Sequence, residues 1–371
     1  MVKRVKEHMS ISLAQLVAEA KIHSLSLIGL SKNVGKTTAT NHLLETLVGE
    51  KYYRSDELGL TSLGLDGETT DALTGLPKPR YVPKAGLLVA TTSELLVRAE
   101  SEGTQVERLL QLPGRTALGP VILSRILHAG RVIIAGPTLL HDLRHTIDIL
   151  GRFGACLSIV DGAINRLGAA APAITDACIV CTGASVAATP ELVARRTADT
   201  LRRLSTQKTR YVDAYRKHIS QARLFMFTAD SGANSIFHYK GKFEPLREAS
   251  WIAKRIQTSQ NPIFVLSGAF TEELARDLLT ELPKKFSPDH EGEVIVEDAT
   301  RIFCHSVVLQ RLYERGLDIR VANSIRILAL TVNPYTPEYS CSSQHLLDVL
   351  AKELVGSYPP LIDVISGYSH D

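Results

Sequence analysis

The chain has 371 residues, 44% of them hydrophobic and 22% charged, with a net charge of +3. At roughly 150 residues per domain this length predicts two lobes or one large α/β domain, and the composition excludes disordered, collagenous and coiled-coil chains. The near-neutral balance lacks the electrostatic footprint of a dedicated nucleic-acid binder, so no nucleic-acid partner is expected.

Lys3, Arg4 and Lys6 are followed by polar residues interleaved through 10–19 rather than by an apolar core, so no secretory leader is expected. Ser12 and Gln15 fit a capping box, and Leu13, Leu16, Val17 and Ala20 follow helical spacing, which predicts a short amphipathic helix. A β-rich run over 24–30, a turn over 31–35 and a helical pattern over 36–48 then open an α/β fold. Short apolar runs at 58–63, 87–90, 132–135, 157–160 and 178–181 are separated by helix-length segments, the pattern of buried parallel strands. The predicted fold class is α/β with a mostly parallel sheet, followed by a second α/β region.

The character changes over 191–223, where Arg195, Arg196, Arg202, Arg203, Lys208, Arg210, Arg216, Lys217 and Arg223 face only Glu191, Asp199 and Asp213. This reads as a solvated helical connector, or as a docking face for an acidic partner. Strand patterns recur at 224–227, 263–266, 294–296 and 325–332, with a helical pattern at 272–282. The predicted domains are therefore 1–190, a basic connector over 191–223, and a second α/β region over 224–371. No run of about 18 apolar residues occurs, so no membrane span is expected. Five cysteines are too few for a disulfide framework, and a reducing, cytoplasmic setting is expected.

The sharpest chemical signal is Gly29-Leu30-Ser31-Lys32-Asn33-Val34-Gly35-Lys36-Thr37-Thr38, between an apolar strand and a helix. Backbone N–H groups of such a small-residue loop wrap phosphates, Lys36 neutralises β/γ charge and the Thr37 hydroxyl can ligate Mg²⁺. The usual first glycine would fall at Leu30; Gly29 sits one residue earlier. Lys32 is an extra cation able to reach transferred phosphate oxygens, or else a solvated loop lysine.

Asp161 ends the apolar run over 157–160, where a Mg²⁺-associated acid belongs. The competing run over 132–135 ends in Gly136-Pro137 and offers no acid. Asp66 and Glu68 follow the second strand, at the sheet edge where ligands bind, and can orient water or Mg²⁺ or form an exposed Gly-rich turn. The glycine- and proline-rich stretch over 64–86 is longer than a connection needs, which favours a functional loop. His141 and His145 have metal-ligand spacing but no third ligand, and Cys178 and Cys181 read as core thiols. The absence of an Asn-Lys-x-Asp motif favours ATP over GTP. Asn333 reads as an Asn-Pro turn, or as a base contact if its strand joins the first sheet.

The loop spacing resembles that of dethiobiotin synthetase and its relatives. Asp66-Gly67-Glu68, Pro77-Lys78-Pro79, Val160-Asp161-Gly162-Ala163-Ile164-Asn165-Arg166 and Leu330-Thr331-Val332-Asn333-Pro334 together resemble the P-loop subunit of the lysine 5,6-aminomutase reactivase, over about residues 29–364. The resemblance implies an ATP- and Mg²⁺-dependent subunit that works with a second reactivase ATPase subunit to expel damaged cobalamin from an adenosylcobalamin-dependent aminomutase. No cobalamin-binding Asp-x-His-x-x-Gly run is present, so the chain would act on the mutase rather than hold the cofactor. The alternatives are a small-molecule ligase of the dethiobiotin synthetase type and a scaffold with a vestigial loop. Against the ligase, Ser62-Leu63-Gly64 stands where that family has a Lys-Pro pair.

Overall fold

The computed structural model describes residues 12–64, 80–162, 167–220, 222–228, 236–242, 244–283, 291–336, 341–354, 356 and 358–370. In chain order, helix α1 (Leu13–Glu19) precedes β1 (Ser24–Gly29), α2 (Lys36–Gly49), β2 (Leu58–Ser62), β3 (Leu88–Thr92) and α3 (Ser93–Ser101). A long hairpin, β4 (Gln105–Thr116) and β5 (Gly119–His128), leads to α4 (Leu140–Arg152), β6 (Leu157–Asp161), β7 (Ala177–Gly183) and α5 (Pro190–Leu204). There follow α6 (Val212–His218), β8 (Leu224–Thr228), β9 (Phe237–His238), α7 (Pro245–Thr258), β10 (Pro262–Leu266), β11 (Phe270–Thr271) and α8 (Glu272–Glu281). The chain closes with β12 (Gly292–Val296), β13 (Ile302–Phe303), α9 (Ser306–Tyr313), β14 (Leu317–Val321), β15 (Ile327–Asn333), α10 (Ser343–Glu353), β16 (Leu361–Ile362) and β17 (Ser369–His370).

These elements form two compact units, Met1–Thr197 with Arg326–Asp371, and Ala198–Ile325. The first carries a ten-stranded sheet of order β17-β16-β15-β7-β1-β6-β2-β3-β5-β4. From β16 to β3 every pairing is parallel, and antiparallel strands occur only at its two margins. Strands β1, β2, β3 and β7 are buried throughout, as their near-continuous apolar runs require when helices cover both faces. Helix α4 supplies Leu143 and Ile147 to a cluster with Leu63, Val160 and Ile174, and Ile149 and Leu150 to a second cluster with Leu88, Ala90 and Leu123.

Three features depart from the sequence reading. Residues 132–135 do not form a ladder strand: Val132 makes one isolated bridge with Tyr81, and the Thr91 hydroxyl secures Ile133 and Ala135 through their carbonyl and N–H. The β4–β5 hairpin, which extends the sheet past β3, was not anticipated. The domain read as 224–371 ends earlier, because 326–371 returns to the first unit, where β15 pairs with β7 in parallel. An apolar strand is attractive to any sheet with an open edge, so its local pattern does not name its partner.

The second unit holds a five-stranded sheet of order β14-β12-β10-β8-β9, in which β10, β12 and β14 run parallel and β8 is antiparallel to β10. Its core gathers Phe225, Phe227, Ile263, Val265, Ile295 and Tyr215. The basic stretch over 191–223 falls on α5, α6 and their flanks, with Arg202, Lys208, Arg210, Arg216 and Lys217 exposed. Among the described residues, no helix is long and apolar enough to cross a membrane.

Cys178 and Cys181 lie three residues apart on β7, so their side chains leave opposite faces of the sheet and do not form a redox pair. Burial pushes the Cys178 and Cys304 thiols up to about 12 and that of Cys181 up to about 11. Exposed Cys156 is therefore expected to alkylate at pH 8 in the folded protein, while these three react only after denaturation. Peptide mass spectrometry of iodoacetamide-treated protein checks this; early labelling of Cys178 would overturn it.

Candidate functional site

The Gly29–Thr38 segment leaves the C-terminal edge of the parallel sheet between β1 and α2, the crevice at which ligands bind in open α/β sheets. Two residues turn the loop through the left-handed region, Asn33 at φ 59° and Gly35 at φ 83°. Gly35 is the N-cap of α2 and provides no side-chain cap, and no acidic residue occupies the first turn. The helix therefore presents its first N–H groups and the positive end of its dipole without a competing internal carboxylate.

Lys36, the first residue of α2, is only 8% exposed. Its chain folds back over Gly29: a Cβ there would lie 3.0 Å from Lys36 Cδ, 3.1 Å from its Nζ and 2.9 Å from Val34 Cγ2. Gly29 is thus required by close approach, although it stands one place ahead of the usual glycine. Among the described residues Lys36 takes part in no ion pair. Thr37 and Thr38 are half-buried in the same turn, and Lys32 is exposed at the loop tip.

The loop is laced to its neighbours by main-chain and side-chain bonds. The Leu30 N–H donates to the Cys181 carbonyl at 3.0 Å, the Ser31 hydroxyl to the Ser185 carbonyl at 3.1 Å, and the Ser185 hydroxyl to the Lys32 carbonyl at 2.6 Å. From β15, the Asn333 amide donates to the Asn33 carbonyl at 2.7 Å, while its oxygen accepts the Tyr335 N–H at 3.2 Å. The strand carrying Asn333 does join the first sheet, but its side chain is committed to holding the loop rather than turned to a base. Asn333→Ala is expected to lower the melting temperature by about 2–4 °C, the worth of one neutral hydrogen bond. Differential scanning calorimetry checks this.

Asp161 ends β6, in register with Leu27 of β1 on one side and Ser62 of β2 on the other. The acid strand is thus the immediate neighbour of the loop strand. Burial raises the Cys181 thiol beneath the loop, the Thr331 hydrogen bond and then the Lys36 ammonium draw it down, and the Asp161 carboxylate raises it. A hydroxyl from Thr37 and a carboxylate from Asp161 are hard oxygen donors suited to Mg²⁺, and a lysine beside a bare helix N-terminus suits phosphates.

The chain matches no protein-family model and no curated protein.

Asp66 and Glu68 lie outside the described residues; the ends of the stretch that carries them are described. On entry, the Leu63 N–H donates to the Asp161 carbonyl at 3.1 Å and the Gly64 N–H to the Pro137 carbonyl at 2.7 Å. Gly136 makes this crossing possible, since a Cβ on it would come within 1.9 Å of the Ser62 carbonyl oxygen. On return, Asn41 of α2 clamps both flanks of Tyr81, donating to the Arg80 carbonyl at 2.9 Å and accepting the Val82 N–H at 3.2 Å. The Tyr81 hydroxyl donates to Asp161 Oδ2.

Sequence reading missed Ser185, Tyr81 and Gly136. A small-residue turn after the strand beside the loop is a local signal for Ser185; Tyr81, flanked by Arg80 and Val82, carries none. His141 and His145 are exposed on α4, with His141 paired to Asp142 at 2.9 Å. No cluster of three metal-ligating side chains occurs among the described residues.

Proposed function

We propose that this chain binds ATP with Mg²⁺ at the Gly29–Thr38 loop and hydrolyses it to drive a conformational change in a partner protein. The observation that carries this reading is Lys36: a side chain only 8% exposed and outside any ion pair among the described residues, at the N-terminus of a helix without a side-chain cap, which follows the strand paired with the one that ends in Asp161. A lysine with no ion-pair partner among the described residues leaves its charge available to a polyphosphate. In this arrangement the loop N–H groups and Lys36 orient the β- and γ-phosphates, and Thr37 and Asp161 hold the metal. Bound Mg²⁺ would spread the charge that develops on the phosphate oxygens.

The partner follows from the resemblance to the lysine 5,6-aminomutase reactivase. A radical enzyme that loses its adenosyl group retains a tightly held dead cofactor, and its release needs a conformational change that nucleotide binding or hydrolysis can power. We assign this chain the role of the nucleotide-driven subunit, acting with a second ATPase subunit on the aminomutase. Competitive titration of the purified chain with ATP and GTP, followed by cobalamin release from inactivated aminomutase with and without ATP, tests the two halves separately. Tighter binding of GTP overturns the nucleotide assignment. ATP turnover without cobalamin release retains the ATPase and overturns the partner; ATP-dependent ligation of a small molecule would favour the synthetase alternative.

A further inference from the structure

Resting on the ATPase reading, we infer that Tyr81 is a positioning residue that fixes the Asp161 carboxylate for the metal–nucleotide complex and links it mechanically to the helix that carries Lys36. Tyr81 is 5% exposed, and its main chain is pinned in an isolated two-bond bridge, its N–H to the Val132 carbonyl at 3.1 Å and the Val132 N–H to its carbonyl at 3.0 Å. The buried phenol directs its hydroxyl to Asp161 Oδ2, as a buried tyrosine does when its polar tip needs a partner.

The anchoring is two-sided. Asn41 lies on α2 five residues beyond Lys36 and bonds the backbone on both sides of Tyr81. Hydrogen bonds thus link in series the helix bearing the site's cation, the strap bearing Tyr81 and the strand bearing its acid. A carboxylate locked by such a donor loses no rotamer freedom when a cation arrives, whereas a free one must be ordered at that moment. Packing alone would ask only for an aromatic ring at this position; the hydroxyl aimed at the acid, and the clamp from α2, are what a positioning role requires.

The test uses the full chain and a fluorescent, non-hydrolysable ATP analogue titrated with and without Mg²⁺. Tyr81→Phe keeps the ring and is expected to bind the Mg²⁺-free analogue as the parent does. It should lose about tenfold of the affinity that Mg²⁺ adds, the worth of one hydrogen bond to a charged group. In an Asp161→Asn background the same substitution should have no further effect. Asn41→Ala, which loosens the strap and leaves Tyr81 in place, should give a smaller loss of the same kind.

A full Mg²⁺-dependent gain in Tyr81→Phe, or an undiminished loss in the Asp161→Asn background, overturns the inference and leaves the ATPase reading intact. A parent chain that binds no nucleotide in either condition overturns both.

Discussion

Replacing Lys36 with methionine is expected to abolish ATP binding while leaving the nucleotide-free protein at least as stable as the parent. Methionine retains most of the aliphatic stem that packs over Gly29, on a residue only 8% exposed, and it removes the positive charge. Lys36 takes part in no ion pair among the described residues, so its removal breaks none in the empty site. In the occupied site the same change deletes the side-chain charge aimed at the β- and γ-phosphates. Truncating a buried, charge-assisted contact costs about 2–5 kcal/mol, a loss of affinity on the order of 10²-fold or more.

Two thermal melts make the contrast readable. At about a hundred times its dissociation constant ATP should raise the parent's melting temperature by roughly 5–10 °C, and should not move that of Lys36→Met. A marked fall in the nucleotide-free melting temperature of the variant would show Lys36 to be a structural residue. An undiminished ATP shift would remove it from the site.

The legible parts of this molecule are those whose causes are local. A run of apolar residues, a turn over 31–35 and a lysine at the first helical position are set within thirteen consecutive residues, 24–36, and they stand in the structure where the local pattern put them. The end of β6 at Asp161 was legible because a strand end is a local feature and its neighbouring residues are apolar. What escaped depends on distant partners. The run over 132–135 has the composition of a strand, yet its backbone groups are met by Tyr81 and the Thr91 side chain rather than by a ladder. Nothing near β15 specifies that it crosses back to pair with β7, and the role of Asn333 follows from that pairing. Tyr81 and Asp161 are 80 residues apart in sequence and meet where Val132 and Asn41 hold the strap.

Asp161→Asn is the complementary experiment, and it should separate binding from turnover. Asparagine has the same shape and keeps an oxygen able to accept the Tyr81 hydroxyl, so the strap and β6 stay where they are. An alanine at this position would leave that phenol without its acceptor and mix a folding cost of about 1–3 kcal/mol into the result. With the isosteric change only the charge is lost. Lys36, the loop N–H groups and the Asn333 strut are untouched, so the nucleotide should still bind without Mg²⁺ as it does to the parent. The affinity gained from Mg²⁺ should fall by tenfold or more. Hydrolysis should fall further, by on the order of 10²–10³, because stabilisation of charge that develops during transfer is worth more than ground-state contact. Single-turnover hydrolysis beside equilibrium binding reads the two quantities separately. Parental turnover in Asp161→Asn would assign the catalytic acid elsewhere, with Asp66 and Glu68 next to be substituted.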